Sequence, residues 1–131
     1  MTEIPASHRA LLDGPVGVLA AVGKDGYPQV TALWFLYDEA DGDVHFSLNA
    51  RRQKSKNLRA HPEASFLVVD PANPYRTIEL RGKTRLEPDD DYAFADRLGK
   101  KYGADLRELD NLGGERLAVT LRPNKVNTWG T

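Results

Sequence analysis

Short apolar segments separated by tight turns constrain the fold of this chain more than any other feature of its sequence. The run VGVLAAV at 16–22 is followed by GKDG at 23–26, and an Asp-Gly pair between apolar segments predicts a β-hairpin. The next segment, YPQVTALWFLYD at 27–38, is therefore predicted to be the second strand. A third strand is predicted over VHFSL at 44–48, because its residues alternate between apolar and polar.

The second half of the chain predicts three further strands and two short helices. The strands are predicted over 64–70, 77–87 and 116–123. In the second of these, a bulge is expected at Gly82. One helix is predicted over 53–60, ended by Pro62, and another over 91–103 with Gly103 as its C-cap. The predicted fold class is all-β with minor α: six antiparallel strands in a closed or nearly closed barrel.

Composition and charge limit the classes of function. The 131 residues predict a single domain over 1–131, and a formal net charge of −1 argues against a nucleic-acid binder that relies on bulk positive charge. The chain has no cysteine and three histidines, so neither a disulfide framework nor a metal site is predicted. It has no leader pattern and no apolar segment of about 20 residues, which predicts a cytoplasmic protein without a membrane span.

A local cluster of basic residues contrasts with this balanced overall charge. The segment 51–59 has no acid and five cations, which are Arg51, Arg52, Lys54, Lys56 and Arg59. Arg52 and Lys54 are two residues apart, so their side chains project to the same side of an extended backbone. The helix that starts near Lys54 directs its N-terminal amides and its positive dipole end to the same place. The cluster predicts a phosphate-binding site, with a solvated helix face as the alternative.

Several segments, in their order along the chain, resemble the split-barrel flavoprotein family that includes the pyridoxamine 5'-phosphate oxidases. They are PVGVLAAVGKDGYPQVTALWF, DVHFSL, RRQKSKNLRAHPEASFLV, RTIELRGKTRLE and GERLAVTLRPNKV. The most specific piece is the pattern R-x-K-x-x-N-L, formed by Arg52, Lys54, Asn57 and Leu58. Within the family, the chain resembles the branch that uses the deazaflavin coenzyme F420, and the resemblance extends over 11–129.

This resemblance implies a fold, an activity, a cofactor and an assembly. It implies a six-stranded split β-barrel and an F420-dependent reductase that transfers a hydride between the deazaflavin and a small conjugated or unsaturated organic substrate. It also implies a homodimer with the cofactor at the subunit interface. Tyr75 is then a candidate contact from the second subunit, with sealing of the barrel as the alternative, and Trp129 is a candidate cover for the cofactor ring or the dimer seam. The candidate cofactor-binding residues are Pro28, Gln29, Val30, Thr31, Ser47, Arg52, Gln53, Lys54, Lys56, Asn57, Tyr75 and Trp129.

The sequence leaves several interpretations open. It has no G-x-S-x-G, HExxH or P-loop motif, so no catalytic residue is assigned and the chemistry is expected to come from a cofactor. FMN is the alternative cofactor. Its one phosphate would leave Lys56, Arg59 and Arg51 without a ligand partner, whereas the deazaflavin carries a tail of several glutamates. A non-enzymatic module that binds the cofactor, haem or nucleic acid is the third interpretation. Gln29 and Ser47 also have a structural alternative, as ordinary outward-facing strand residues.

Overall fold

The computed structural model describes residues 2–109 and 113–131. In these residues, the elements in chain order are a 3₁₀ helix (Arg9–Asp13), β1 (Gly17–Val22), β2 (Pro28–Leu33), β3 (Leu36–Asp38), β4 (Asp43–Asn49), α1 (Gln53–Ala60), β5 (Glu63–Asp70), β6 (Asn73–Pro88), α2 (Ala93–Tyr102), α3 (Leu106–Leu109) and β7 (Arg116–Trp129). The strands form one antiparallel sheet with the order β2-β1-β5-β6-β7-β4-β3. No helix in this described part of the chain is long and apolar enough to cross a membrane.

The six-stranded barrel predicted from the sequence is wrong in strand number and in closure. The sheet of the described residues has seven strands, and its edge strands, β2 and β3, do not pair with each other, so the sheet stays open. The additional strand arises because the segment 27–38 breaks at Trp34 and Phe35 instead of forming one strand. Phe35 is 0% exposed and packs edge-on against Phe66, with 4.9 Å between the ring centroids. The Phe35 ring is therefore buried at the point where the chain leaves one edge strand, β2, and enters the other, β3.

The two longest strands, β6 and β7, connect the two halves of the sheet. β6 pairs with β5 over its first part, and the first part of β7 pairs with β4. The register between β6 and β7 shifts between Arg81 and Gly82, at the position where a bulge was predicted, but the extra residue is Asn124 on β7. β7 continues to Trp129, beyond the end predicted at Pro123. Pro123 lies opposite Gly82 at the register shift, where a strand tolerates a missing N–H donor.

One face of the sheet carries the hydrophobic core. Alternation along β4 buries Val44, Phe46 and Leu48, as the period-two pattern predicted. Phe66 on β5 packs against Phe46, with 5.1 Å between the ring centroids. Leu58 from α1 is 1% exposed and joins the same core. The core therefore anchors α1 to the sheet through this apolar side chain.

The opposite face of the sheet is apolar and exposed over β2, β1 and β5. Val30 on the edge strand β2 is 63% exposed, Val22 on β1 is 36% exposed, and Val69 on β5 is 37% exposed. Ala20 lies opposite Val30 in the register and continues the same apolar surface, called the outer face below. An exposed apolar surface on a sheet whose other face already forms the core is typical of a site of association.

Both predicted helices are present, and α2 is capped at both ends. α1 spans the predicted range, and Pro62 follows it. Asp89 accepts hydrogen bonds from the first backbone amides of α2, at 3.1 Å from Phe94 and 2.9 Å from Ala95. Gly103 follows α2 in the left-handed conformation, with φ 63°, as the sequence predicted for a C-cap. The helix starts at Ala93, two residues later than predicted, because Asp89 and the residues after it form the cap.

We expect the substitution Gly82→Ala to lower the free energy of unfolding by about 1–3 kcal/mol. A Cβ at this position would lie 2.0 Å from the carbonyl oxygen of Arg122, so the pairing of β6 with β7 would have to shift. Chemical denaturation measures the effect. Lys83→Ala, at the neighbouring exposed position, is the control, and its expected change is within about 0.5 kcal/mol. Equal stability of the two variants would contradict this account of the bulge.

Candidate cofactor-binding site

Hydrogen bonds hold the start of α1 beside the end of β4 and the start of β7. Ser55 is 0% exposed and donates from Oγ to the carbonyl oxygen of Asn49 at 2.8 Å. The Asn49 side chain donates to the carbonyl oxygen of Gly113 at 2.9 Å and accepts from the Arg51 amide at 2.9 Å. Asn49 also lies opposite Arg116 in the register of β4 and β7. Residues that are distant in sequence therefore meet at the N-terminus of α1.

Three cations, called the cation cluster below, converge at this helix terminus: Arg52, Lys54 and Arg116. Burial lowers the pKa of Lys54, and the positive charges of Arg52 and Arg116 lower it further. Arg116 donates from Nε to the hydroxyl oxygen of Ser47 at 3.0 Å, which brings the predicted residue Ser47 to the cluster. In the described part of the chain, no carboxylate forms a salt bridge with Arg52 or Lys54. Burial and the two arginines disfavour the charged form of Lys54. A bound anion would stabilise that charged form.

The backbone of α1 adds to the attraction for an anion. Arg52 precedes the helix in an extended conformation, with φ −71° and ψ 145°, and its side chain makes no capping hydrogen bond. The amides of the first turn and the positive end of the helix dipole lie next to the cation cluster. Lys56 is exposed on the same helix. This terminus is therefore chemically suited to a phosphate group.

A chain of side-chain amides links α1 to the edge strand β2. Gln53 donates from Nε2 to Oδ1 of Asn57 at 2.8 Å, and Asn57 donates from Nδ2 to Oε1 of Gln29 at 2.7 Å. Asn57 is 4% exposed. The structure therefore brings three of the predicted site residues into one hydrogen-bonded chain, and this chain ties β2 to the helix that carries the cation cluster.

A groove of about 340 Å³ lies between this amide chain and the β1–β2 hairpin. Its lining residues are Gly23, Lys24, Asp25, Tyr27, Pro28, Gln29, Gln53 and Asn57. Sequence reasoning does not find Lys24, Asp25 or Tyr27, because the Asp-Gly signal predicts a turn without indicating that the turn faces α1. It does not find Arg116 either, since this residue reaches the site only through the pairing of β4 with β7.

Strand alternation divides the predicted residues of β2 between two faces. Thr31 shares the face of Gln29, whereas Val30 lies on the outer face. Pro28 borders both the groove and a depression of about 410 Å³. The charged residues that line this depression are Glu63, Arg81 and Lys83. The structure therefore places the predicted residues Pro28 and Val30 at the surface of the outer face, and Gln29 and Thr31 on the side of α1.

Within one chain, Tyr75 and Trp129 lie at the other end of the strands. They are 76% and 70% exposed, respectively. Through the pairing of neighbouring strands, Trp129 aligns with Val69 on β5, and Gln29 aligns with Ala64 on the same strand. Along β5 this separation is about five residues, or roughly 17 Å. The contribution of Tyr75 and Trp129 from a second subunit stays a prediction.

These features define a class of β-rich protein, in which an open antiparallel sheet holds a helix whose N-terminus attracts an anion. The family model for pyridoxamine 5'-phosphate oxidase matches residues 4–130. The chain belongs to the pyridoxamine 5'-phosphate oxidase family, which confirms the resemblance found in its sequence.

Solved structures agree with this assignment. An F420 reductase is 36% identical to this chain, with a TM-score of 0.84, over 95% of this chain and 98% of that chain. A conserved hypothetical protein from Mycobacterium tuberculosis is 24% identical, with a TM-score of 0.77, over 98% and 86%. A haem-binding protein from Mycobacterium smegmatis is 19% identical, with a TM-score of 0.70, over 98% of this chain and 55% of that chain. The last two comparisons show a likeness of fold alone.

We expect inorganic phosphate to bind to the cation cluster more weakly as the pH rises. The pKa of Lys54 in the free protein lies below its usual value of 10.5, so its ammonium group loses its proton as the pH rises through that lowered pKa. Lys54→Arg is the control, because an arginine keeps its charge over this range. Calorimetric titration at a series of pH values below 10.5 compares the two proteins. Identical pH profiles would count against a role for Lys54 in the anion site.

Proposed function

We propose that this protein is an F420-dependent reductase that transfers a hydride between the deazaflavin and a small conjugated or unsaturated organic substrate. The observation that carries the proposal is the cation cluster, where burial and two neighbouring cations disfavour the charge of Lys54. The 36% identity to an F420 reductase, over 95% of the chain, supports the choice of cofactor.

The cation cluster fits the phosphate of such a cofactor. Arg52 offers a planar fork of N–H donors, Lys54 a compact charge, and the first turn of α1 its backbone amides. Arg116, whose Nε donates to Ser47, adds a third charge. These residues would hold the phosphate, and its negative charge would offset the repulsion among the three cations.

The cations along α1 favour a ligand with more negative charge than one phosphate. Lys56 is exposed, and Arg59 is 53% exposed in an ion pair of 3.9 Å with Glu115. An exposed pair at this distance is weak, so a carboxylate of the ligand can replace Glu115. The glutamate tail of the deazaflavin would supply such carboxylates, each contributing about 0–1 kcal/mol in a manner that salt screens.

The remaining residues of the groove would orient the ligand and limit the access of water. When bound, F420 supplies a two-electron hydride donor that reacts poorly with oxygen, which favours a reductase over an oxidase. Gln29 and Gln53 offer amide groups on one wall of the groove, and Tyr27 offers an aromatic ring on the other. Tyr27 is 75% exposed in a single chain, so its ring is available to a ligand or a second subunit.

FMN is the second candidate cofactor, because the chain belongs to the pyridoxamine 5'-phosphate oxidase family. The cation cluster alone would satisfy the single phosphate of FMN. Lys56, which is exposed, and Arg59, which has only its weak ion pair with Glu115, would then have no part in binding, and these two cations are the reason to favour the deazaflavin.

In this proposal the active form is a homodimer that packs through the outer face. β2 pairs only with β1, so the other side of this strand is open in the sheet of the described residues. Val30, at 63% exposure, is the most exposed valine of this surface. A second copy would remove the outer face from water, and the predicted roles of Tyr75 and Trp129 depend on its presence.

We expect Val30→Glu to convert a dimer into a monomer. The substitution places a carboxylate without a partner in the proposed apolar interface, where its burial is strongly disfavoured. Analytical ultracentrifugation at micromolar concentration measures the assembly state. Leu109→Glu, at an apolar position on α3 that is 59% exposed, is the control and should leave the dimer intact. A wild-type protein that is already monomeric would defeat the proposed assembly.

We expect the protein to bind F420 more tightly than FMN, and long-tailed F420 more tightly than short-tailed F420 at low salt. The difference between the two tails should shrink at high salt, because exposed charge pairs are screened. Fluorescence titration measures the dissociation constants. The proposal is wrong if FMN binds more tightly than every form of F420 and the protein is already yellow with FMN when purified.

A pair of variants tests whether F420 binds at the cation cluster. Arg52→Ala should weaken F420 binding about tenfold to hundredfold, which corresponds to the loss of one charge-assisted hydrogen bond. Arg85→Ala should leave the affinity unchanged, because Arg85 is exposed on β6 and paired with Glu87. Equal affinities of both variants and the wild type would favour the solvated helix face.

A further inference from the structure

The amide chain formed by Gln53, Asn57 and Gln29 has a direction. Asn57 accepts from Gln53 through Oδ1 and donates to Gln29 through Nδ2. It is 4% exposed, so its oxygen and its NH₂ group are both engaged inside the protein. Asn57 is thus held in one orientation by the two side chains on either side of it.

The direction of this chain decides which groups its two ends offer. Gln29 accepts through Oε1, and in the part of the chain that the structure describes its NH₂ group makes no hydrogen bond. Gln53 donates through its NH₂ group, which leaves Oε1 as its free acceptor. Gln29 and Gln53 both line the groove. The groove therefore has N–H donors at Gln29 and a carbonyl oxygen at Gln53.

The electrostatics of the site favour this direction over the reverse one. Gln53 is the first residue of α1 and follows Arg52 directly. Beside a cation and the positive end of a helix dipole, the oxygen of an amide is favoured over its NH₂ group. Reversal would also require all three amides to turn together, because Asn57 is bonded to both of the others.

We propose that Asn57 is a positioning residue, which holds the Gln29 amide so that its N–H donors meet a carbonyl or carboxylate oxygen of the ligand in the groove. This inference rests on the proposed function, in which the groove beside the cation cluster holds the cofactor or its substrate. It gives the asparagine of the R-x-K-x-x-N-L pattern, which also lines the groove, the role of orienting Gln29. A ligand that turned an N–H group toward Gln29 would be disfavoured, because two donors would face each other.

A double-mutant cycle with Gln29→Met and Asn57→Leu tests this role without a change of charge. F420 and FMN are the probes, and titration gives their dissociation constants. We expect each single variant to bind its ligand about twofold to tenfold more weakly, the contribution of one neutral hydrogen bond. The double variant should bind no more weakly than Gln29→Met, because Asn57 acts only through Gln29. The proposal would be overturned if the loss of binding free energy in the double variant equalled the sum of the losses in the two single variants.

NMR of the free protein gives a readout that does not depend on either cofactor. The side-chain amide protons of Asn57 should exchange slowly with solvent and those of Gln29 rapidly, and the Gln29 amide resonance should move in Asn57→Leu. Rapid exchange at Asn57 would overturn the proposal, and this measurement on the wild type stands even if Asn57→Leu fails to fold. Asn127→Leu is the control and should change neither readout, since Asn127 donates to Glu79 at 3.0 Å and lies on β7, four strands away from Gln29 on β2.

The two probes separate this inference from the proposed function. A non-additive cycle with FMN, together with no binding of F420, would reject the proposed cofactor and support the role of Asn57. An additive cycle with tight binding of F420 would support the proposed cofactor and reject the role of Asn57.

Discussion

The pairing of β6 with β7 is the constraint on which the rest of the structure depends. The two strands are paired from Thr77 and Trp129 at one end to Pro88 and Leu117 at the other. Each also pairs with one further strand, β5 for β6 and β4 for β7. Gly82 lets the two backbones approach closely where their register shifts. Without this pairing, the two halves of the sheet would be separate groups of short strands, each too small to bury a core of its own.

A second pairing of β7, with β4, produces the electrostatics of the candidate site. Because β4 pairs with β7, Arg116 lies beside the start of α1, where its charge and that of Arg52 act on the half-buried Lys54. Leu58 in the core and the buried hydrogen bond of Ser55 hold α1 in place. The cations are therefore held near one another before any ligand arrives, and a site prepared in this way loses little conformational freedom on binding.

Local patterns in the sequence predict most of the elements of this fold. The Asp-Gly hairpin, the helix that ends before Pro62, the irregularity of strand pairing at Gly82 and the C-cap at Gly103 are all present. Each of these features depends on residues within a few positions of one another, so a single sequence contains the information that defines it. The basic segment at the start of α1 was predictable for the same reason, since charge and helix polarity are local properties.

The sequence by itself determined the β-rich class, the short basic helix and the family. The tertiary structure decided the break at Phe35, which gives seven strands in an open sheet, because that break depends on the packing of Phe35 against Phe66. It also decided that Arg116 joins the cations of α1 and that Tyr27 faces the amide chain. These arrangements depend on contacts between residues far apart in the chain, and the free energy of such contacts is not contained in any local pattern.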